Sequence, residues 1–195
     1  MNHFPAFTSH VVPLLVNDID TDQIIPARFL KVTDKQGLGA NLFSDWRYNP
    51  DGSVKPDFVL NRPEYTDAAI LLAGDNFGCG SSREHAAWAL IGHGIRAVLS
   101  TSFADIFKSN ALKNGILPVV VDAETHEELS LLVRTRLPLD LTIDLQTQTI
   151  HLPNGKVKQF PIDGFAKVCL VEGTDELGYL LKFEKQIVEY EKSRL

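Results

Sequence analysis

The sequence has only two cysteines, no long apolar run and no excess of positive charge. Cys79 and Cys169 lie far apart and predict no disulfide framework. No run approaches the roughly 20 apolar residues that a membrane span needs, and the opening residues, MNHFPAFTSH, lack the basic and then apolar order of a signal peptide. The net charge of −6 argues against nucleic acid as the main partner. These absences predict a cytoplasmic protein that binds neither membranes nor nucleic acids.

Apolar runs and helical patterns alternate from residue 67 onward. The length of 195 residues, with 44% apolar and 23% charged residues, fits one globular domain over residues 1–195. The alternation predicts strands over 68–73, 96–100 and 117–121, and helices over 83–93, 103–113 and 123–136. Because the strand runs show no polar alternation, we expect both faces of the sheet to be buried. The pattern therefore predicts an α/β fold with a mainly parallel sheet and flanking helices.

The two ends of the chain predict further elements. Residues 11–16 form a candidate first strand, and Pro13 favours a position at the sheet edge because proline cannot donate to a ladder. Residues 139–145 and 149–152 alternate and predict a hairpin. Helices are predicted over 165–172 and 174–192, so that residues 174–195 form a charged amphipathic C-terminal helix.

Residues 31–66 are rich in Asp, Asn, Gly and Pro and are too long for an ordinary connection. We expect this segment to be a mobile or partner-facing excursion from the domain. Its aromatic residues are scattered, and we expect them to be exposed: Phe43, Trp46, Tyr48, Phe58 and Tyr65.

The stretch GDNFGCGSSREHAA, residues 74–87, reads as a strand, a glycine-rich loop and a helix. Backbone N–H groups at such a helix start favour an anion, and Arg83 in the first turn would suit a carboxylate. An equally weighted alternative is purely structural: Ser81 and Glu84 have the spacing of a capping box, and the glycines would serve only the turn. The chain has no GxxxxGK[ST] and no GxGxxG spacing, so a small carboxylate is preferred to a phosphate.

A second polar stretch, residues 17–26, has aspartates at positions 18, 20 and 22. An EF-hand calcium loop would need a glycine at its sixth position and a glutamate at its twelfth. Counted from Asp18, these positions hold Gln23 and Phe29, so the calcium interpretation is rejected. The stretch is then either a polar turn or a loop that presents Thr21 and Asp22 to a ligand.

Three blocks together resemble one family. They are DTDQIIP at residues 20–26, GCGSSREHA at 78–86, and SFADIF at 102–107 followed by Asn110 and GILP at 115–118. In order and spacing the chain is similar to the small subunits of 3-isopropylmalate dehydratase, within the aconitase superfamily. The resemblance implies the swivelling β/β/α fold of the aconitase C-terminal domain. It also implies a hydro-lyase that isomerises 2-isopropylmalate to 3-isopropylmalate, by dehydration and rehydration, in leucine biosynthesis.

The resemblance further implies a large subunit as partner, in a heterodimer or a higher assembly, without which the chain is inactive. A [4Fe–4S] cluster is expected on that large subunit, and no cofactor or metal on this chain. Two distant cysteines fit this division, because they cannot supply the usual thiolates of a cluster. Cys79 is then a packed small residue. The substrate is expected to be a small dicarboxylate.

Site roles follow from the resemblance, position by position. Ser81 is expected to be the base that takes a proton from a substrate carbon, with Thr21 and Asp22 as catalytic residues on the opposite wall. Ser82 and Arg83 are expected to bind a substrate carboxylate. Behind them, Glu84 and His85 would support the site, although His85 equally suits helix packing. The aconitase pattern has a serine at the position of Ile25 and a further arginine downstream that holds a third carboxylate. In the corresponding region here, Phe29, Leu30 and Val32 would suit an isopropyl group, because a buried apolar wall rejects an unpaired charge, whereas Lys31 could meet a polar substituent of the substrate.

Three functions remain open from the sequence. The first is the catalytic small subunit of a 3-isopropylmalate dehydratase. The second is a related hydro-lyase subunit that acts on citraconate, methylmalate or homoaconitate. The third is a carboxylate-binding module without catalysis. The excursion 31–66 and the C-terminal helix are the candidate surfaces for the partner.

Overall fold

A computed structural model describes residues 3–31, 35–135 and 138–194. Seven strands of the described residues form one sheet. They are β1 (Phe7–Leu14), β2 (Ile70–Ala73), β3 (Ala97–Ser100), β4 (Leu117–Val120), β5 (Asp140–Asp144), β6 (Thr149–His151) and β7 (Val157–Gln159). Their order across the sheet is β4-β3-β2-β1-β5-β6-β7.

The sheet has a parallel half and an antiparallel half. Strands β1 to β4 pair in parallel, with Val11 opposite Ile70 and Ile70 opposite Ala97. Strands β5, β6 and β7 extend the sheet from β1 as an antiparallel meander. The α/β fold, the parallel strands and the β5–β6 hairpin are confirmed. The short polar strand β7 is an addition to the prediction.

Helices and the excursion cover both faces of the sheet. The helices are α1 (Thr21–Ile24), α2 (Ser44–Arg47), α3 (Glu84–His93), α4 (Asp105–Lys113), α5 (Ala123–Thr135), α6 (Gly164–Glu172), α7 (Glu176–Leu181) and α8 (Glu184–Lys192). One apolar cluster joins α3, α4 and the excursion to the sheet. A second cluster joins α5 and α6 to the other face. Strand β1 contributes Val12 to the first cluster and Val11 to the second, as expected for a strand buried on both sides.

The predicted edge position of Pro13 is wrong, because β1 lies in the middle of the sheet. Pro13 is opposite Leu72 on the β2 side, while β5 pairs only with residues 7–10 of β1. The Val11 N–H donates to the Leu139 carbonyl at 2.9 Å, towards the β5 side of β1. Backbone nitrogens two residues apart face the same side of a strand, so the nitrogen of Pro13 also faces the β5 side, but at a position beyond the start of β5. The missing donor therefore costs no bond of either ladder.

The excursion, residues 31–66, packs against the domain where it is described. It contains α2 and three further helical turns of the 3-10 type, Leu38–Asn41, Val59–Asn61 and Pro63–Tyr65. Phe43 and Tyr65 are fully buried, and Trp46 stacks on Phe43 with ring centroids 5.4 Å apart. The expectation that these aromatics are exposed is therefore wrong for Phe43 and Tyr65, whose rings are part of the core beside α3.

The predicted single helix over 174–192 is two helices, α7 and α8, separated at Lys182 and Phe183. Neither helix has a buried residue, and apolar side chains point outward along both, with Leu177 64% exposed and Tyr190 56% exposed. This C-terminal apolar surface consists of Leu177, Leu180, Leu181, Phe183, Ile187, Val188 and Tyr190. Among the described residues, no helix is long and apolar enough to cross a membrane.

Candidate active site

The candidate site lies at the carboxyl ends of β1 and β2, where the chain leaves two neighbouring parallel strands. The two exit loops run side by side and are joined by main-chain hydrogen bonds. Asp18 N–H donates to the Asp75 carbonyl at 2.8 Å, Gly78 N–H to the Ile19 carbonyl at 2.8 Å, and Thr21 N–H to the Cys79 carbonyl at 2.9 Å. Crevices at this end of parallel strands are common ligand sites in α/β proteins.

The third sequence block joins the same region from the end of β3. Phe77 N–H donates to the Ser102 carbonyl at 3.1 Å, and Ala104 N–H donates back to the Phe77 carbonyl at 3.1 Å. The Ser102 hydroxyl donates to the Asp75 carboxylate at 2.6 Å. The three blocks that are far apart in sequence are therefore in direct contact.

Two glycines let these loops approach each other. Gly78 and Gly80 have φ values of +79° and +84°, in the left-handed region that side chains disfavour. A Cβ atom at Gly78 would overlap the ring of Phe107, and one at Gly80 would overlap the carboxylate of Asp20. At these two positions, glycine serves both the turn and the close packing.

The predicted capping box of Ser81 and Glu84 is wrong. Helix α3 begins at Glu84, its N-cap is Arg83, and no side chain of the described residues caps it. A capping box is found instead at α1, where the Asp20 carboxylate accepts from Asp22 N–H at 2.6 Å and the Gln23 side chain accepts from Asp20 N–H at 2.8 Å. The exposed Ser81 hydroxyl has no hydrogen-bond partner within the described residues, and so it is available to a ligand.

The loop before α3 presents a row of main-chain donors. No acceptor in the described parts of the chain pairs with the N–H groups of residues 80–83. They lie next to the N-terminus of a ten-residue helix, where the helix dipole is positive. Consecutive unpaired N–H groups at a helix start suit a bound carboxylate or a developing oxyanion.

Arg83 forms a two-pronged ion pair with Asp22. Both guanidinium Nη atoms donate to the carboxylate, the second at 2.6 Å. The Arg83 side chain is 14% exposed and that of Asp22 is 51% exposed, so the pair lies at the edge of the site. The hydrogen bond from Arg83 lowers the pKa of Asp22, and the hydrogen bond to Asp22 raises the pKa of Arg83. Both groups stay charged around neutral pH. The contact with Asp22 shows that the Arg83 guanidinium is placed to bind a carboxylate.

Thr21 is buried, at 2% exposed, and its hydroxyl donates to the Ser81 carbonyl at 2.8 Å. In this structure the Thr21 hydroxyl is therefore turned to the protein and not to the ligand side. It fixes the backbone of the residue that carries the expected base. The geometry gives Thr21 a positioning contact with Ser81.

The predicted apolar wall begins next to Asp22. Ala27 N–H donates to the Asp22 carboxylate at 3.1 Å, which ties the start of residues 27–31 to the site. Phe29 and Leu30 are partly buried and pack against the core cluster on the α3 side, whereas Lys31 is exposed. Val32, the fourth residue predicted for this wall, lies outside the described residues.

Glu84 and His85 are the first two residues of α3, directly after the loop. The His85 ring lies 4.6 Å from the Trp88 ring, centroid to centroid. The Glu84 carboxylate accepts from Asn114 at 2.9 Å. Asn114, Trp88 and Lys35 join this network and were missed from the sequence, where only the four-residue spacing of Glu84 and Trp88 hinted at it.

The two cysteines do not fit a cluster on this chain. The Cys79 thiol is partly buried in the loop and donates to the Asp18 carbonyl at 3.3 Å, and burial raises its pKa. Cys169 is buried on α6. Searched over the described residues, the structure has no group of three or more His, Cys, Asp or Glu that could hold a metal ion.

A scan of family models places the fold. Residues 1–124 match the model described as the aconitase C-terminal domain, which covers more than half of the chain. The fold, together with the site at the strand ends, thus defines an aconitase-type C-terminal domain.

Curated relatives narrow this class. A 3-isopropylmalate dehydratase small subunit from Anaeromyxobacter dehalogenans is 58% identical over 194 residues, with all of both chains covered. Small subunits of the same name from Roseiflexus sp. and Chloroflexus aurantiacus are 57% and 56% identical over at least 95% of each chain. The chain belongs to the family of 3-isopropylmalate dehydratase small subunits.

A solved structure agrees with this assignment. The crystal structure of 3-isopropylmalate dehydratase from Methanocaldococcus jannaschii superposes with a TM-score of 0.65 and 27% identity. The superposition covers 96% of this chain and 99% of that one. The resemblance inferred from the three sequence blocks is confirmed.

Proposed function

We propose that this chain is the small subunit of a 3-isopropylmalate dehydratase, which isomerises 2-isopropylmalate to 3-isopropylmalate by dehydration and rehydration. The observation that carries the proposal is the Ser81 hydroxyl, which has no partner among the described residues and lies in a row of N–H groups that are likewise unpaired there, before the start of α3 and near Arg83. Residues 1–195 would form one aconitase-like swivelling domain. The relatives named as small subunits support this role. The cytoplasmic location stays a prediction.

Ser81 would act as the base of the reaction. An alkoxide there would take the proton from the substrate carbon beside the carbon that carries the hydroxyl. The C–H electron pair would form the double bond as the hydroxyl departs. In the rehydration, a hydroxyl would add to the carbon that lost its hydrogen, and Ser81 would return the proton to the carbon that lost its hydroxyl. Serine is a poor base in water, and the helix start with Arg83 nearby would lower the cost of its negative charge.

Ser82 and Arg83 would hold a substrate carboxylate. The loop N–H groups at residues 80–83 add donors without any change in the fold. Asp22 occupies two N–H groups of the guanidinium and would keep its plane oriented, leaving the remaining donors of Arg83 for the substrate. Thr21 would act indirectly, by holding the Ser81 backbone.

Phe29 and Leu30, with Val32, would contact the isopropyl group. An apolar wall at this point favours an alkyl substituent, because burying an unpaired carboxylate there would be costly. Lys31 keeps a related acid with a polar substituent, such as homoaconitate, as the second candidate substrate class. Comparing rates on 2-isopropylmalate, methylmalate and homocitrate with the same complex separates these substrates.

The large subunit would complete the site. The [4Fe–4S] cluster, which would serve as Lewis acid for the departing hydroxyl, is proposed on that chain because the cysteines here do not fit it. The C-terminal apolar surface, Leu177 to Tyr190, is the surface that we propose the large subunit covers. A run of exposed Leu, Ile, Val and Tyr side chains on two helices without buried residues supports this choice.

The test is Ser81→Ala in the complex reconstituted with the large subunit. A positioned base contributes roughly 100- to 10,000-fold to rate, so we expect a loss of kcat in that range with substrate binding retained. Ser109→Ala is the matched control, since Ser109 is an exposed serine on α4. Unchanged kcat in Ser81→Ala would favour a carboxylate-binding module. Full turnover by the isolated chain would also overturn the proposal.

A further inference from the structure

Asn114, directly after α4, uses the whole hydrogen-bonding capacity of its side chain although it is only 8% exposed. Its oxygen accepts from Lys35 Nζ at 2.8 Å and from Trp88 Nε1 at 3.0 Å. Its amide nitrogen donates to the Glu84 carboxylate at 2.9 Å and to the Asn110 carbonyl at 2.9 Å. Two acceptor positions and two donor positions are thus all filled.

The chemistry of the partners fixes the orientation of this amide. An ammonium and an indole N–H can only donate, so the oxygen of Asn114 must face Lys35 and Trp88. A carboxylate and a main-chain carbonyl can only accept, so the NH₂ group must face Glu84 and Asn110. A flipped amide would break all four bonds. Only one orientation of the Asn114 amide therefore allows all four hydrogen bonds.

At one end the network reaches Lys35, which lies in the excursion. Lys35 Nζ also lies 5.5 Å from the centre of the Trp88 ring, a cation–π contact that adds to its hydrogen bond. Lys35 therefore contacts both Asn114, directly after α4, and Trp88 on α3.

The network ends on the helix side at Glu84, the first residue of α3 and the neighbour of Arg83. Trp88 lies one turn further along the same helix and donates to Glu84 as well, at 3.3 Å. The side chain of Asn114 therefore joins Lys35, in the excursion, to Glu84, which is the neighbour of Arg83 at the start of α3.

We propose that Asn114 and Lys35 are positioning residues that hold the start of α3, and with it Arg83 and the loop N–H groups, in place. They would thereby determine how tightly the site binds a substrate carboxylate. This inference rests on the proposed function for its kinetic consequence. The tie itself rests on the contacts of Asn114 alone.

The kinetic test is Lys35→Met in the reconstituted complex, with 2-isopropylmalate and methylmalate as substrates. Loss of one such hydrogen bond corresponds to a three- to tenfold effect. Because both substrates carry the carboxylates, we expect KM for each to rise by that factor and kcat to stay within about twofold. Lys35→Arg should restore KM, because it keeps a donor and a cation over the ring. Lys55→Met is the control, since Lys55 lies in the same excursion but donates to the Asp45 carbonyl.

A second measurement needs no catalysis. In a Trp46→Phe background, Trp88 is the one remaining tryptophan, and its fluorescence reports directly on the network. We expect Lys35→Met to increase acrylamide quenching of Trp88 and Lys55→Met to leave it unchanged. Lys35 is exposed, so the Lys35→Met variant is expected to fold.

The outcomes separate the two proposals. Unchanged quenching of Trp88, or an unchanged KM in an active Lys35→Met complex, would overturn the positioning role and leave the proposed function intact. If the wild-type complex turns over neither substrate, the proposed function fails, and the quenching result still decides whether the tie exists.

Discussion

Gly80→Ala should disturb the site far more than its position on an exposed loop suggests. The residue has φ +84°, and a Cβ atom there would overlap the carboxylate of Asp20. That carboxylate accepts from Asp22 N–H at 2.6 Å and caps α1. The substitution would push Asp20 away and loosen the short helix that carries Asp22, the partner of Arg83.

The magnitude follows from two separable contributions. A left-handed conformation costs a non-glycine residue about 1–2 kcal/mol, partly offset by about 0.4–1 kcal/mol from the stiffer unfolded chain. Loss of the Asp20 cap adds about 1 kcal/mol. Gly155→Ala supplies the matched control, because Gly155 has φ +82° but nothing within 4 Å of an added Cβ. We expect a loss of about 1 kcal/mol at Gly155 and about 2 kcal/mol at Gly80.

Urea denaturation of the full chain measures both losses in the free energy of unfolding. A double-mutant cycle with Asp20→Ala isolates the overlap, since without that carboxylate Gly80→Ala should cost no more than Gly155→Ala. Activity of the reconstituted complex should fall for Gly80→Ala and hold for Gly155→Ala. Equal losses of stability at the two glycines would refute the reasoning, because they would leave only the backbone contribution.

Three further predictions concern other parts of the chain. Arg83 lowers the pKa of Asp22, so the pair stabilises the fold above the unfolded pKa of this carboxyl, which is near 4. This stabilisation is lost as the pH falls through the folded pKa. Asp22→Asn should therefore reduce the difference between the free energies of unfolding at pH 5 and pH 3, by less than about 1 kcal/mol because the pair is exposed. Tyr65→Phe should leave stability unchanged or raise it by about 1 kcal/mol in thermal melts, because the buried Tyr65 hydroxyl has no hydrogen-bond partner among the described residues, and a clear loss would indicate an unseen partner. Deleting residues 183–195 should leave the melting temperature of the isolated chain nearly unchanged, since α8 has no buried residue. The same deletion should abolish co-purification with the large subunit. If the truncated chain still assembles, α8 is a surface helix with no part in the interface.

The parallel half of the fold was predictable because its strands are buried on both faces and therefore read as unbroken apolar runs. Residues 70–73, 97–100 and 117–120 are almost all fully buried. Strand β7, Val157–Gln159, is exposed or partly exposed at every position and has three residues, so no periodicity reports it. The central place of Pro13 was also hidden, since it depends on where β5 begins and not on β1 itself.

The site was predictable as a set of residues but less so as an arrangement. The three blocks that carry the resemblance meet through main-chain bonds between Ile19, Cys79, Phe77 and Ser102. Asn114 could not be found from sequence, because its four partners come from the excursion, α3 and α4. The prediction that the aromatic residues of the excursion are exposed was wrong for a related reason. Composition shows only that the segment is long and polar. Burial of Phe43 and Tyr65 depends on the close packing of the excursion on α3, where the backbone of Gly39 approaches that of Gly92.

Whether the Ser81 hydroxyl caps α3 decides whether it is available to a ligand. A serine three residues before a glutamate ordinarily spends its hydroxyl on the helix, which stabilises the helix by about 1 kcal/mol. Here the helix starts two residues later, at Glu84, and the capping pattern is realised instead by Asp20 and Gln23 on α1. Helix α3 thus lacks that stabilisation. Within the part of the chain that the structure describes, its start has unpaired N–H groups and an unpaired Ser81 hydroxyl close together. A helix end left unsatisfied beside an arginine is more stable with a carboxylate bound than without one, so the cost in folding is also the source of the proposed affinity.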